Sequence, residues 1–179
     1  MTESNINHYR FLVFQAHGRV ADRGNLSGEV IMAAFSANGN QFIPALCSGL
    51  LTLGGAHGPI PQTQALLEDD DHIQLAEGLI NSDVNVPGWG NSFIKGKPDP
   101  DWSPPHNFLG EINPNLFGKL KQITELLHGY DKMVYPNPSA YTACLSIMLG
   151  YPAALSSSLF VEARLPAWRE RMAKAYKGE

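Results

Sequence analysis

Apolar residues recur at helical spacing along most of this chain, and the every-second-residue alternation of a half-buried strand is scarce. Residues 115–128 place Leu116, Leu120, Ile123 and Leu127 on one face, with Gly129 as a C-terminal stop, which predicts an amphipathic helix. Residues 141–149 are apolar enough for a buried helix ended by Gly150 and Pro152. Residues 156–176 predict a last helix that turns basic near its end. Nearer the start, residues 27–53 are rich in Ala, Ser, Gly and Leu. Ser27 reads as the cap of a helix running to Phe35 with Glu29 in its first turn, and Pro44 restarts a second helix. Ala33, Ala34, Ala37, Ala45 and Gly49 are small enough for another helix to approach closely, so this segment is expected to be interior or at a subunit interface.

The breaks are as legible as the helices. Gly54, Gly55, Gly58, Pro59 and Pro61 predict a loop, after which Thr63 opens a helix that ends near Glu68. Asp69, Asp70 and Asp71 read as a solvated cap for a further helix through Ile80 rather than as a metal site. Prolines and glycines crowd residues 87–105 and exclude a long helix there, while Trp89, Phe93 and Trp102 predict an ordered loop held by aromatic rings. The expected fold class is therefore mainly α.

Composition narrows the partners. The chain has 179 residues, 44% hydrophobic and 17% charged, against about 25% charged in an average protein. With 13 basic and 17 acidic side chains its net charge is −4, so neither a nucleic acid nor an anionic membrane is expected as partner. Residues 30–53 form the longest apolar stretch but contain Asn38, Gly39, Asn40, Gln41 and Pro44, which a membrane-spanning helix of roughly 20 apolar residues rarely tolerates together. The first nine residues lack the basic flank and apolar core of a secretory signal, and a cytoplasmic location is expected. Cys47 and Cys144 are far apart and read as buried free thiols.

Four separated motifs carry a resemblance to the citrate synthase family. The string SGLLTLGGAHGPI is similar to the family's small-residue helix leading to a His-Gly pair, which places His57 at the first catalytic His, although Pro59 follows where the family has Gly. VPGWGNSFIKGKPDPDW resembles the family's Gly-Phe-Gly-His-Arg-Val-Tyr-Lys run ending in Asp-Pro-Arg, with one residue inserted. Gly88, Trp89, Gly90, Lys95, Asp99 and Pro100 match, but Asn91 stands at the second catalytic His, Ser92 at the next Arg and Asp101 at a carboxylate-binding Arg. KMVYPNPSAYTACLSIMLGYP resembles the family's Lys-Lys-Leu-Tyr-Pro-Asn-Val-Asp-Phe-Tyr segment and the helix after it. Lys132, Tyr135, Pro136, Asn137 and Tyr141 match, and Ser139 replaces the catalytic Asp. LFVEARLPAWRERM is similar to a segment that puts Arg164 at a carboxylate-binding Arg and Trp168 at a family Trp.

The resemblance runs from Leu26 to the C-terminus and implies a citrate synthase-like helical fold truncated at the N-terminus. It implies residues 1–57 as a remnant of the large helical domain, 58–154 as a smaller helical lobe, and 155–179 as a helix returning to the remnant. It also implies catalytic positions His57, Asn91 and Ser139, substrate binding at Arg164, and CoA binding by Gly88, Trp89, Gly90, Lys95 and Lys132. No metal and no tightly bound cofactor are implied, with CoA or an acyl-CoA as ligand and a homodimer or higher homo-oligomer as the assembly.

The substitutions bear on the chemistry. In the family an Asp takes a proton from the acyl methyl group while two His side chains polarise the carbonyls. A carboxylate with a reference pKa of about 4 can be tuned for that task, and a serine hydroxyl cannot do it unaided. Asn91 can donate a hydrogen bond but transfers no proton. Asp101 puts repulsion where an Arg fork would hold a carboxylate, which disfavours oxaloacetate. The expectation is a divergent protein that binds CoA or an acyl-CoA with weak, altered or no condensation activity. The alternative is a noncatalytic structural or regulatory subunit that self-associates or pairs with a full-length homologue. Simpler readings stand beside each site residue. His57 can bond a backbone carbonyl, the glycines can serve only a turn, and Arg164 can pair with Glu162. Asp99, Asp101 and His106 form a remote third candidate, a replacement acid-base or metal set whose spacing matches no metal pattern.

Overall fold

A computed structural model of the chain describes residues 1–22, 26–53, 58–91 and 93–178, with the side chains of Ala21, Asp22 and Leu26 left aside. Its helices are α1 (Glu3–Asp22), α2 (Leu26–Ala37), α3 (Phe42–Leu50), α4 (Ile60–Glu68), α5 (His72–Asn81), α6 (Ser103–Ile112), α7 (Pro114–Gly129), α8 (Pro138–Met148) and α9 (Ser156–Lys177). Short 3₁₀ turns at Pro100–Trp102 and Ala153–Leu155 lead into α6 and α9. Among the described residues no strand occurs, and one isolated bridge joins Trp89 to Pro136.

α7 forms as its pattern dictates. Asn113 caps it by accepting from the Leu116 amide at 3.1 Å, Pro114 occupies the first position, and Leu116, Leu120, Ile123 and Leu127 are the buried residues. Burial of each stabilises the fold by about 1.5–3 kcal/mol. α8 is buried nearly all round, and its packing on α4, α1 and α9 makes it the central helix. α1 packs on α9, α6 and α8, with Tyr9, Val13 and Ala16 in the core. The Tyr9 hydroxyl donates to the Tyr141 carbonyl at 3.3 Å, which fixes α1 on α8.

Several local expectations need correction. α1 is not among the helices expected from the sequence, although Tyr9, Val13, Ala16 and Val20 follow helical spacing. Ser27 is not a cap, because α2 begins one residue earlier and the Ser27 hydroxyl instead pairs with the Thr52 hydroxyl at 2.7 Å. α4 starts at Ile60 rather than Thr63, since Pro61 is accommodated in the first turn, where no N–H partner is needed. The Pro-rich loop ends sooner than expected for the same reason, with Pro104 and Pro105 in the first turn of α6. Cys144 is buried as expected, but Cys47 is exposed, because α3 packs mainly on α2 and leaves its other side to solvent. Trp89 and Trp102 do anchor their loop, whereas Phe93 is exposed.

Small residues decide the α2–α3 contact. A Cβ added to Gly49 would collide with the Ile31 side chain and crowd the Ser27 carbonyl, so glycine here lets the two helices close. Ala45 is also buried, whereas Ala33 and Ala37 face solvent. No described helix is long and apolar enough to cross a membrane.

Candidate functional site

Hydrogen bonds lace the segment carrying Asn91 to the segment carrying Ser139. The Asn137 amide donates to the Gly88 carbonyl at 2.9 Å, its Nδ2 donates to the Gly90 carbonyl at 2.9 Å, and the Gly90 amide donates to the Tyr135 carbonyl at 3.0 Å. Gly88 and Gly90 have φ of 91° and 89°, in the region that favours glycine. At Gly88 a second constraint acts, because an added Cβ would stand 2.5 Å from the Thr63 methyl carbon on α4. Trp89, between them, is 7% exposed and donates its indole N–H to the Thr124 hydroxyl on α7 at 2.9 Å. Its ring is committed to the core and holds the turn in place.

Asn91 and Ser139 thus come from two segments in register. The Asn91 Oδ1 accepts from the Phe93 amide at 2.9 Å, which leaves its NH₂ as the group able to donate. Ser139 is buried in the first turn of α8, and its amide is taken by the Asn137 Oδ1 at 2.8 Å. Asn137 therefore caps α8 and clamps the glycine turn with one side chain.

Asn91 also borders a cavity of about 290 Å³ whose lining includes Ile94, Lys95, Lys97, Asp99, Met133 and Tyr135. Lys95 was expected at such a site. Lys97 was not, although its place two residues farther in the same loop was a usable signal. Neither ammonium pairs with a described carboxylate. Lys132 immediately precedes Met133, which lines the cavity, but is not itself part of the wall.

Arg164 lies deeper and is 3% exposed. The expected alternative partner, Glu162, pairs instead with Arg10 at 3.0 Å. The Arg164 Nε donates to the Nδ1 of His17 at 3.2 Å, and the guanidinium lies over the Phe160 ring at 4.3 Å. Burial lowers its pKa to about 10, which leaves it a cation at neutral pH. No described carboxylate pairs with it. His17 in turn meets the Thr142 hydroxyl at 2.8 Å, and that hydroxyl donates to the Pro138 carbonyl at 2.7 Å, one residue before Ser139. His17 and Thr142 were not read from the sequence, since a single His in an unassigned helix carries no motif.

The remaining polar candidates do structural work. Asp101 pairs with Arg19 at 3.2 Å, tying the 3₁₀ turn to α1, and Asp99 accepts from the Asp101 amide at 3.1 Å. His106 meets the Tyr141 hydroxyl at 3.2 Å, and burial lowers its pKa. No group of three or more His, Cys, Asp or Glu among the described residues is arranged to hold a metal. His57 lies outside the described residues.

These helices and their order define a citrate synthase-type all-helical fold. The chain is similar to the crystal structure of citrate synthase from Thermotoga maritima MSB8, with a TM-score of 0.74 at 19% identity, over 94% of this chain and 48% of that one. It is also similar to the Methanosaeta concilii ATP citrate lyase D541A mutant in complex with (3S)-citryl-CoA, with a TM-score of 0.73 at 22% identity, over 96% of this chain and 31% of that one. The chain thus spans about half or less of either protein. Coverage of 94–96% of this chain carries the match into α1, ahead of Leu26 where the motif-bearing span begins. No family model and no curated protein matches the sequence.

Proposed function

We propose that this chain is a citrate synthase-like protein that binds CoA or an acyl-CoA, with weak, altered or no condensation activity. The observation that carries this reading is the lacing of the glycine turn to the entry of α8, which sets Asn91 at a cavity flanked by Lys95 and Lys97. Two ammonium groups without described acidic partners suit the phosphates of a nucleotide-like ligand. The fold match to a protein held with (3S)-citryl-CoA supports the same ligand class. In this reading the Asn91 amide donates to the thioester or acceptor carbonyl, Arg164 takes a carboxylate, and His57 completes the polar set. Gly88, Trp89 and Gly90 shape the turn, and Lys132 adds positive charge beside the cavity. Ser139 occupies the base position without a carboxylate, so proton removal from an acyl methyl would be slowed by about 10²–10⁴-fold.

The same reading treats residues 1–57 with the helix of 155–179 as one helical layer, supported by the packing of α9 on α1 and α2, and 58–154 as the lobe against it. It places the protein in the cytoplasm. Isothermal calorimetry with CoA and acetyl-CoA tests the ligand. Saturable binding that weakens about tenfold or more when Lys95 and Lys97 are both changed to Ala is expected. Absence of heat at millimolar ligand would remove the proposal.

A second reading, a noncatalytic self-associating subunit, is favoured by the surface of α3. Ile43, Cys47 and Leu51 fall at i, i+4 and i+8 and are exposed, Leu51 to 87%. Residues 30–67 contain no Asp, Glu, Lys or Arg, so two copies of this face would meet without charge repulsion. A homodimer is compatible with either reading.

A further inference from the structure

The contacts of Arg164 specify where every proton in its support must lie. A guanidinium only donates, so the His17 Nδ1 that receives the Arg164 Nε–H must carry a lone pair. The His17 proton then resides on Nε2 and is donated to the Thr142 hydroxyl. Thr142, having accepted, directs its own proton to the Pro138 carbonyl. Both ends of the chain require the same arrangement, which is that of a neutral imidazole. Burial, and then the nearby Arg164 charge, push the His17 pKa well below 6.5, in keeping with the geometry. The rings of Trp102 and Phe160, each 5.0 Å away and close to perpendicular, hold the imidazole in place.

A buried Arg is usually oriented by a carboxylate, which also cancels its charge. Here the orienting group is the neutral His17 and the guanidinium lies over the Phe160 ring, so no described carboxylate neutralises Arg164. The His17 contact occupies Nε, the edge used for side-on pairing, and leaves the two Nη groups as the end-on fork.

We propose that His17 is a positioning residue, which through its Nε2–H tautomer presents the Nη edge of Arg164 to the carboxylate of a small-molecule acceptor. The idea rests on the carboxylate part of the proposed function and adds the residue and protonation pattern on which that part depends. It also links the receptor to the first turn of α8, because the chain of bonds ends on Pro138.

The experiment uses the full ¹⁵N-labelled chain, with citrate and malonate as probes. Long-range ¹H–¹⁵N spectra should show His17 neutral with its proton on Nε2, and a slowly exchanging Arg164 Nε–H. His17→Leu should abolish that Nε–H protection and weaken citrate and malonate binding by about tenfold or more, as loss of a charge-assisted bond would. His17→Asn, whose Oδ1 can take the place of Nδ1, should restore protection and bring affinity back to within about threefold of wild type. CoA affinity should be unchanged in both variants. An Nδ1–H tautomer, or His17→Leu that keeps carboxylate binding, overturns the role of His17 while leaving the proposed function intact. A wild-type chain that binds neither probe overturns the role of His17 together with the carboxylate part of the proposed function, while CoA binding is decided separately by the calorimetry above. If His17→Leu fails to fold, the wild-type tautomer and the His17→Asn affinity decide the matter.

Discussion

Gly88 and Gly90 share a turn and nearly the same φ, yet they are not equivalent. At Gly90 an added Cβ would find only the Val134 side chain, 3.8 Å away, so Gly90→Ala adds backbone strain of about 1–2 kcal/mol. At Gly88 the same strain is joined by a collision with Thr63 that must push α4 from the loop, and Gly88→Ala is expected to cost about 1–3 kcal/mol more. Urea unfolding of the two variants measures the difference, and equal losses would show that α4 yields freely. The turn glycines were visible in the sequence, but their inequality was not, because Thr63 is remote in the chain and only packing brings it there.

At the scale of elements, the pattern of α3 leads to a statement about assembly. α2 and α3 are closed on one another by Gly49, and the far side of α3 presents Ile43, Cys47 and Leu51. Leu51→Glu would bury a charge in any contact made through this stripe, an arrangement costly enough to separate two copies. Sedimentation velocity should show a dimeric wild type that the substitution converts to monomer, with the helical circular dichroism unchanged. A monomeric wild type would end the self-association reading. α7 and α9 match their expected bounds to within a residue because their apolar spacing and terminal signals agree, whereas α8 begins at Pro138, three residues before the expected start, because a proline fits the first turn of a helix. α1 was not expected although Tyr9, Val13, Ala16 and Val20 keep helical spacing, and nothing local marks His17 as a side chain that will be buried.

For the whole molecule, His17 makes stability depend on acidity in a defined direction. The folded chain holds this imidazole neutral to a pH well below the ordinary value of 6.5, whereas the unfolded chain protonates it near that value. Its contribution is therefore complete above about pH 6.5 and is lost as the pH falls toward the folded value, at up to about 1.4 kcal/mol per pH unit. Other groups titrate in the same range, His106 among them, so the comparison with a variant isolates the effect. Denaturation of wild type and His17→Leu between pH 7.5 and 5 should show a flatter acid limb for the variant, although the variant is less stable at pH 7.5. Parallel curves would mean that His17 is protonated in the fold.

The amino-acid sequence by itself determined the mainly helical class, the positions of α7, α8 and α9, and the four motifs whose order pointed to this fold. These are properties of local spacing and short-range chemistry, written in consecutive residues. The structure alone decided that Asn137 clamps the glycine turn to the head of α8, that Lys97 joins Lys95 at a cavity, and that Arg164 is held by a neutral His17. Each of those facts depends on residues far apart in the chain meeting in a particular orientation. Helical periodicity records which face is buried but not which neighbour it is buried against.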